Sequence, residues 1–327
     1  MSKPARPDDR THDVGATPNA SAGKRVVALH DELQSMAEFQ LLQKIQTFQH
    51  SLEVFEGNYR EIRRPLEWQA QDPGARELWF LKNRHLLETF QKEVARLLHN
   101  FAAGAASLID HTRLHYRELY AASGQLPEYE GEVSARFTKN TLAAFVRGLR
   151  QYCQHYKVPP LVAQMSYRAE PPSWNSTIVL DKSKLMEFSG WSAPANAYLE
   201  QQGDSIELLE VIQAYYSLVG DFYRWFSGRQ REIHKSDLER VRAKQKEIDA
   251  IAIPEQLEAI VALAAGPSWD PDDCFAGILT PAEWRQVAQY APGSPERCEK
   301  LIELVERRAS ISEDLKNRIR TLYGQGT

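Results

Sequence analysis

Large apolar side chains are scarce over residues 1–24 (MSKPARPDDRTHDVGATPNASAGK) and then return at helical spacing through most of the chain. So few apolar groups cannot offset the entropy of ordering a segment, and residues 1–24 read as a disordered tail. From Val26 onward, Leu33, Met36, Ile45, Phe48, Leu52 and Phe55 recur between Gln, Glu and Lys. That phase predicts one amphipathic helix over 26–63, ended by Pro65 and the Asp72-Pro73-Gly74 cluster. A second helix is expected over 75–122, where Leu78, Leu81, Phe90, Val94, Leu97, Phe101, Leu108 and Leu119 keep phase until Ser123-Gly124 and Pro127. A third, over 132–156, carries Val133, Phe137, Leu142, Phe145, Leu149 and Tyr152 on one side and closes at Pro159-Pro160.

The period then changes. Residues 161–168 and 177–180 are short and rich in β-branched or aromatic side chains, flank the turn-rich AEPPSWNS, and predict a β-hairpin insertion at about 161–181. A fourth long helix is expected from Asp204, with Asp204 or Ser205 as cap and Glu207 as capping-box partner, running to Ile248. Its second half, RQREIHKSDLERVRAKQKEIDA, is dense in alternating charge and reads as solvated or as a protein-binding face. Short helices follow at 255–265, 281–290, 295–309 and 312–322, separated by Gly266-Pro267, Pro271, Pro281 and Pro295. Burying four apolar stripes together predicts a mainly α fold, a four-helix bundle over 25–252 that carries the hairpin, followed by a helical subdomain over 253–327.

Composition narrows the class. Hydrophobic residues make up 43% and charged residues 26%, with a net charge of −4, so the chain as a whole is not a polybasic nucleic-acid clamp. Three well-separated cysteines, Cys153, Cys274 and Cys298, exclude a disulfide framework and a CxxC site. No apolar run approaches the ~20 residues of a membrane span, and the start of the sequence lacks a signal-peptide core, which together predict a soluble cytoplasmic protein without membrane contact. GxGxxG, GxxxxGK[ST], GxSxG and HExxH are all absent from the sequence.

The second helix carries a polar row: Arg96, His99, Asn100, Ser107, Asp110, His111, Arg113 and His115. Arg96 and Asn100 are candidate binding residues. His111 and His115, four apart, could both point at one metal, but two imidazoles do not identify a third ligand, for which the nearby Asp110 is the candidate. The competing expectation is a buried network of Asn100, Asp110 and Arg113 that fixes helix register.

The third helix ends in FVRGLRQYCQHY, with four residues between Arg150 and His155. An Arg–His spacing of this kind also occurs at Arg6/His12, Arg25/His30 and Arg229/His234, but only Arg150/His155 falls at the end of the third helix. This placement resembles the R-x(4–6)-H motif of the HEPN superfamily. The family's usual residue after the arginine is Asn, Asp or His, and Gln151 departs from that. The resemblance implies an up-and-down helical bundle acting as a homodimer, a metal-independent endoribonuclease or its inactive relative, RNA as partner, no cofactor, and a role in stress or phage defence. In that reading His155 transfers the proton, Arg150 holds the phosphate, Gln151 orients either group, and Arg147 and Lys157 form a basic rim.

The alternative is a non-enzymatic helical interaction protein whose charged fourth helix or C-terminal subdomain docks a protein partner. Tyr215, Tyr216, Tyr223 and Trp225, at helical spacing, read as core packing ahead of base stacking.

Overall fold

A computed structural model describes residues 20–170, 173–264 and 270–324. It is mainly helical with one small antiparallel sheet. The elements are α1 (Ala20–Ser35), α2 (Ala37–Gln71), α3 (Arg84–Tyr116), α4 (Tyr129–Val133), α5 (Thr141–His155), β1 (Leu161–Arg168), β2 (Ser173–Asp181), α6 (Lys182–Leu185), α7 (Ala193–Gln201), β3 (Ser205–Glu207), α8 (Leu208–Ile233), α9 (Lys235–Ala264), α10 (Pro271–Ala276), α11 (Pro281–Val287), α12 (Pro295–Glu306) and α13 (Glu313–Gly324). Most of the expected tail, residues 1–19, lies outside the described residues, and its last part, 20–24, is already helical.

Each expected long helix is redrawn. The first is split at Met36, where the Ser35 hydroxyl donates to the Glu32 carbonyl and competes with the backbone ladder. Beyond that break α2 runs straight through Pro65, because Ile62, Leu66 and Gln69 on either side of it are all buried on one face. The second starts late: Asp72 accepts from Gly74 N at 2.7 Å and opens 3-10 turns over Pro73–Trp79 and Leu81–Asn83 before α3 begins. A wide π turn, Arg117–Ala121, follows α3. The third is interrupted by a second π turn, Ser134–Thr138, after which Asn140 caps α5 by accepting from Ala143 N at 3.0 Å.

The hairpin is present and longer than expected on its second side. β1 pairs with β2 from Leu161↔Leu180 to Arg168↔Ser173, and a third strand joins them through Leu180↔Ile206. Asp204 and Ser205 therefore do not cap a helix; Ser205 enters the sheet, and α8 opens three residues later. The fourth helix breaks at His234, and α9 continues through Pro254 to Ala264 because Ile253 and Leu257 are buried around it.

The chain divides into two compact units, residues 43–235 and residues up to 42 together with those from 236 on. In the first unit Phe55, Leu98, Phe101, Phe145, Leu149, Ile212 and Phe226 form a core with Leu180 and Ile206 of the sheet. The second unit has its own core from Ile253, Leu257, Phe275, Leu301, Leu304 and Ile319. There the charged stretch of α9 is partly consumed by ion pairs to the first helices, Arg240 with Glu38 and Lys244 with Glu32. Among the described residues no helix is long and apolar enough to cross a membrane.

Candidate functional site

α3 and α5 lie against each other, and small side chains allow it: Ala102, Ala105 and Ala106 from α3, Ala143 from α5. On α5, Ala143, Val146, Arg147 and Arg150 recur at three- and four-residue spacing and share one face. Above that close approach the two helices, with α8 and the π turn at 134–138, leave a narrow cleft that is partly open to solvent. Its floor is apolar and aromatic, built from Leu108, Phe137, Val219 and Phe222 with the rings of Tyr129, Tyr215 and Tyr223. A contiguous recess extends it along Ala102, Val146 and Arg150, sharing Ala105, Ile109, Arg113, Arg147 and Tyr215 with the main cleft.

Three guanidinium groups edge this cleft. Arg113 is exposed and meets Asp110, the only carboxylate on the lining among the described residues, at 3.7 Å. The Arg147 and Arg150 guanidinium groups make no ion pair or hydrogen bond among the described residues, and the Arg150 Nε atom is buried without a partner. The phenols stay protonated: burial pushes Tyr215 up, with Arg147 pulling it partly back, and burial with Glu130 pushes Tyr129 up to about 12. Tyr223, raised by burial, shares its hydroxyl with Thr112. Two unpaired cations above an aromatic floor with neutral O–H donors are suited to hold an organic anion whose body is apolar.

The sequence-derived site is only partly assembled here. Arg147 and Arg150 share the cleft. Gln151 is exposed one residue further round α5, and His155 is exposed at the C-terminal end of the helix. Five helical residues set Arg150 and His155 about 140° apart around the axis, so within one chain they do not converge. Lys157 is held by Glu187 at 2.9 Å and sits 4.8 Å from the Tyr156 ring centre. Arg96 is exposed and paired with Glu93, while Asn100 is half-buried and outside the cleft lining.

Neither expectation for the polar row survives intact. Asp110 and Arg113 are exposed, so they form no buried network with Asn100. His111 Nδ1 is 2.9 Å from Ser51 Oγ, and His115 is buried with Nε2 2.7 Å from Gln230 Nε2. Among the described residues there is no group of three His, Cys, Asp or Glu side chains that could hold a metal ion. The buried polar network is instead His115, Tyr120, Gln230 and His234, in which Tyr120 Oη bonds both Gln230 Nε2 and His234 Nε2 at 3.1 Å. His234, read as solvated from its charged surroundings, is 6% exposed. No family model matches the chain, nor does any curated protein or solved structure.

Proposed function

We propose that the protein binds an organic anion with an apolar body in the α3–α5–α8 cleft, with Arg147 and Arg150 holding the charge. We read α2, α3, α5 and α8 as a four-helix bundle whose interior opens at this point. The observation that carries the reading is the pair of unpaired guanidinium groups beside a buried aromatic floor. Asp110 and Arg113 neutralise each other at the rim, which leaves net positive charge where Arg147 and Arg150 stand. Phe137 and Phe222, 5.2 Å apart in an edge-to-face arrangement, supply apolar surface for a ring or chain.

The test uses 8-anilinonaphthalene-1-sulfonate, an anion with an aromatic body and a fluorescence readout. The native chain is expected to bind it with defined stoichiometry, and the Arg147→Gln/Arg150→Gln double variant to bind roughly tenfold more weakly or worse, as loss of charge-assisted bonds implies. The melting temperature should hold, because neither guanidinium has a protein partner. Equal affinity in the double variant would sink the proposal.

A second reading keeps RNA as the anion. Arg150 remains the group that the HEPN resemblance sets on a phosphate, and His155 would then have to come from a second copy of the chain in a homodimer. RNA cleavage in EDTA, lost in His155→Ala and in monomeric protein, supports that reading. Cleavage unchanged by His155→Ala excludes it.

A further inference from the structure

A second recess lies in the same unit, between the end of α2 with its following 3-10 turn and the sheet strands β1 and β2, and is lined by Gln69, Asp72, Arg76, Trp79, Met165 and Trp174 among others. Gln69 is 2% exposed, yet both its Nε2 and its Oε1 lack any hydrogen-bond partner. The Trp79 indole Nε1 is likewise buried and unpartnered. Buried amides and indoles are almost always bonded, since each unmet group costs about 1–3 kcal/mol. Three such atoms in one recess mark a place shaped for something to bond. The Ser176 hydroxyl spends its one proton on the Gln69 main-chain carbonyl at 2.7 Å, so it cannot donate to Gln69 Oε1.

Two opposite charges share the lining without meeting. Arg76 is exposed and forms no ion pair among the described residues. Asp72 spends Oδ1 on Gly74 N and likewise pairs with no cation. Met165 and Trp174, 42% and 46% exposed, form an apolar wall beside them, with Tyr167 packed on Trp174 at 4.8 Å.

We propose that this recess binds a free α-amino acid with an apolar side chain. Its carboxylate takes the Arg76 guanidinium, the Trp79 Nε1–H and the Gln69 Nε2–H. Its ammonium donates to Asp72 and Gln69 Oε1, and its side chain rests on Met165 and Trp174. A zwitterion satisfies every unpartnered group at once. A simple anion leaves Asp72 and Gln69 Oε1 unmatched, and a simple cation leaves Arg76 and the two N–H donors unmatched. Nothing in this site depends on the α3–α5–α8 cleft.

The experiment follows indole N–H resonances of the full chain labelled with 15N-tryptophan, the Trp79 signal being assigned with Trp79→Phe. L-leucine should shift that signal saturably, while 4-methylpentanoate, which lacks the ammonium, and 3-methylbutylamine, which lacks the carboxylate, should bind at least roughly tenfold more weakly. Arg76→Gln, an exposed change without structural partners, should weaken L-leucine binding by a similar factor, and Gln69→Leu should abolish it. If Gln69→Leu does not fold, Arg76→Gln and the two analogues decide the matter alone. No shift with L-leucine, or equal binding of 4-methylpentanoate, overturns the proposal; the latter would make the recess a plain anion site.

Discussion

Gln230 Nε2 stands 2.7 Å from His115 Nε2, and because an amide nitrogen only donates, the ring nitrogen must accept. That bond fixes His115 as the neutral tautomer protonated on Nδ1. Phe48 stacks on the same ring with centroids 4.4 Å apart, and the residue is only 6% exposed. Burial first, and His234 second, push its pKa down to about 4.

A pH dependence follows. An unfolded histidine titrates near ~6.5, so between about pH 6.5 and 4 the unfolded chain binds the proton that the folded chain refuses. The His115 contribution is complete above that window and is lost as pH falls through it, to a limit of about 3 kcal/mol. Urea unfolding at about pH 7 and about pH 5 should show a larger drop for the native chain than for His115→Gln, which keeps a polar partner for Gln230 and carries no proton-linked charge.

Two glycines should respond in opposite directions to alanine. A Cβ at Gly148 would sit 2.6 Å from Cε3 of Trp191. That indole cannot retreat, since it stacks on Phe145 and donates from Nε1 to the Leu185 carbonyl at 2.8 Å. Gly148→Ala should cost about 1–3 kcal/mol. Gly57, inside α2, has nothing within 4 Å of its would-be Cβ, so Gly57→Ala should stabilise by about 0.5–1 kcal/mol. Shifts in melting temperature of opposite sign check both.

In the second unit Arg297 holds Asp272 with two bonds, 3.0 Å from Nε and 2.8 Å from Nη2, while Tyr323 donates to the same carboxylate at 2.8 Å. Asp272→Asn strands a nearly buried guanidinium and should destabilise by about 3 kcal/mol. A loss below about 1 kcal/mol in urea titration would show the pair to be dispensable.

Thiol reactivity should be ordered by burial. Burial pushes Cys153 up to about 12 and Cys298 up to about 11. Cys274 is raised less, by burial and by Asp273 and Asp270. Since the thiolate is the reacting species, iodoacetamide near neutral pH should label Cys274 first, and intact mass with peptide mapping reads the order.

The sequence made the helical character and the hairpin legible because period and turn residues are local signals. It misplaced helix ends wherever packing outweighed a local breaker: Pro65 and Pro254 are both carried inside helices by buried neighbours, Ile62 with Leu66 and Ile253 with Leu257. It also took Asp204, Ser205 and Glu207 for a capping box, although Ile206 between them is buried in the sheet. A three-residue strand offers too little alternation to show. Of the site, Arg147 and Arg150 could be found from their place on the third helix, whereas Tyr215 and Phe137 read as ordinary core and Tyr129 drew no reading. Gln69 carried no signal at all, being one glutamine among many on an amphipathic helix.

The π turn at 134–138 spaces its bond five residues apart, Lys139 N to Ser134 O at 3.0 Å, where an α-helix uses four. This segment therefore contains one residue more than regular winding requires, and Phe137 faces the cleft by virtue of that surplus. Excising a single residue there would restore ordinary winding and swing the ring by about 100°. Chain length at this point therefore sets where the Phe137 ring stands on the cavity wall.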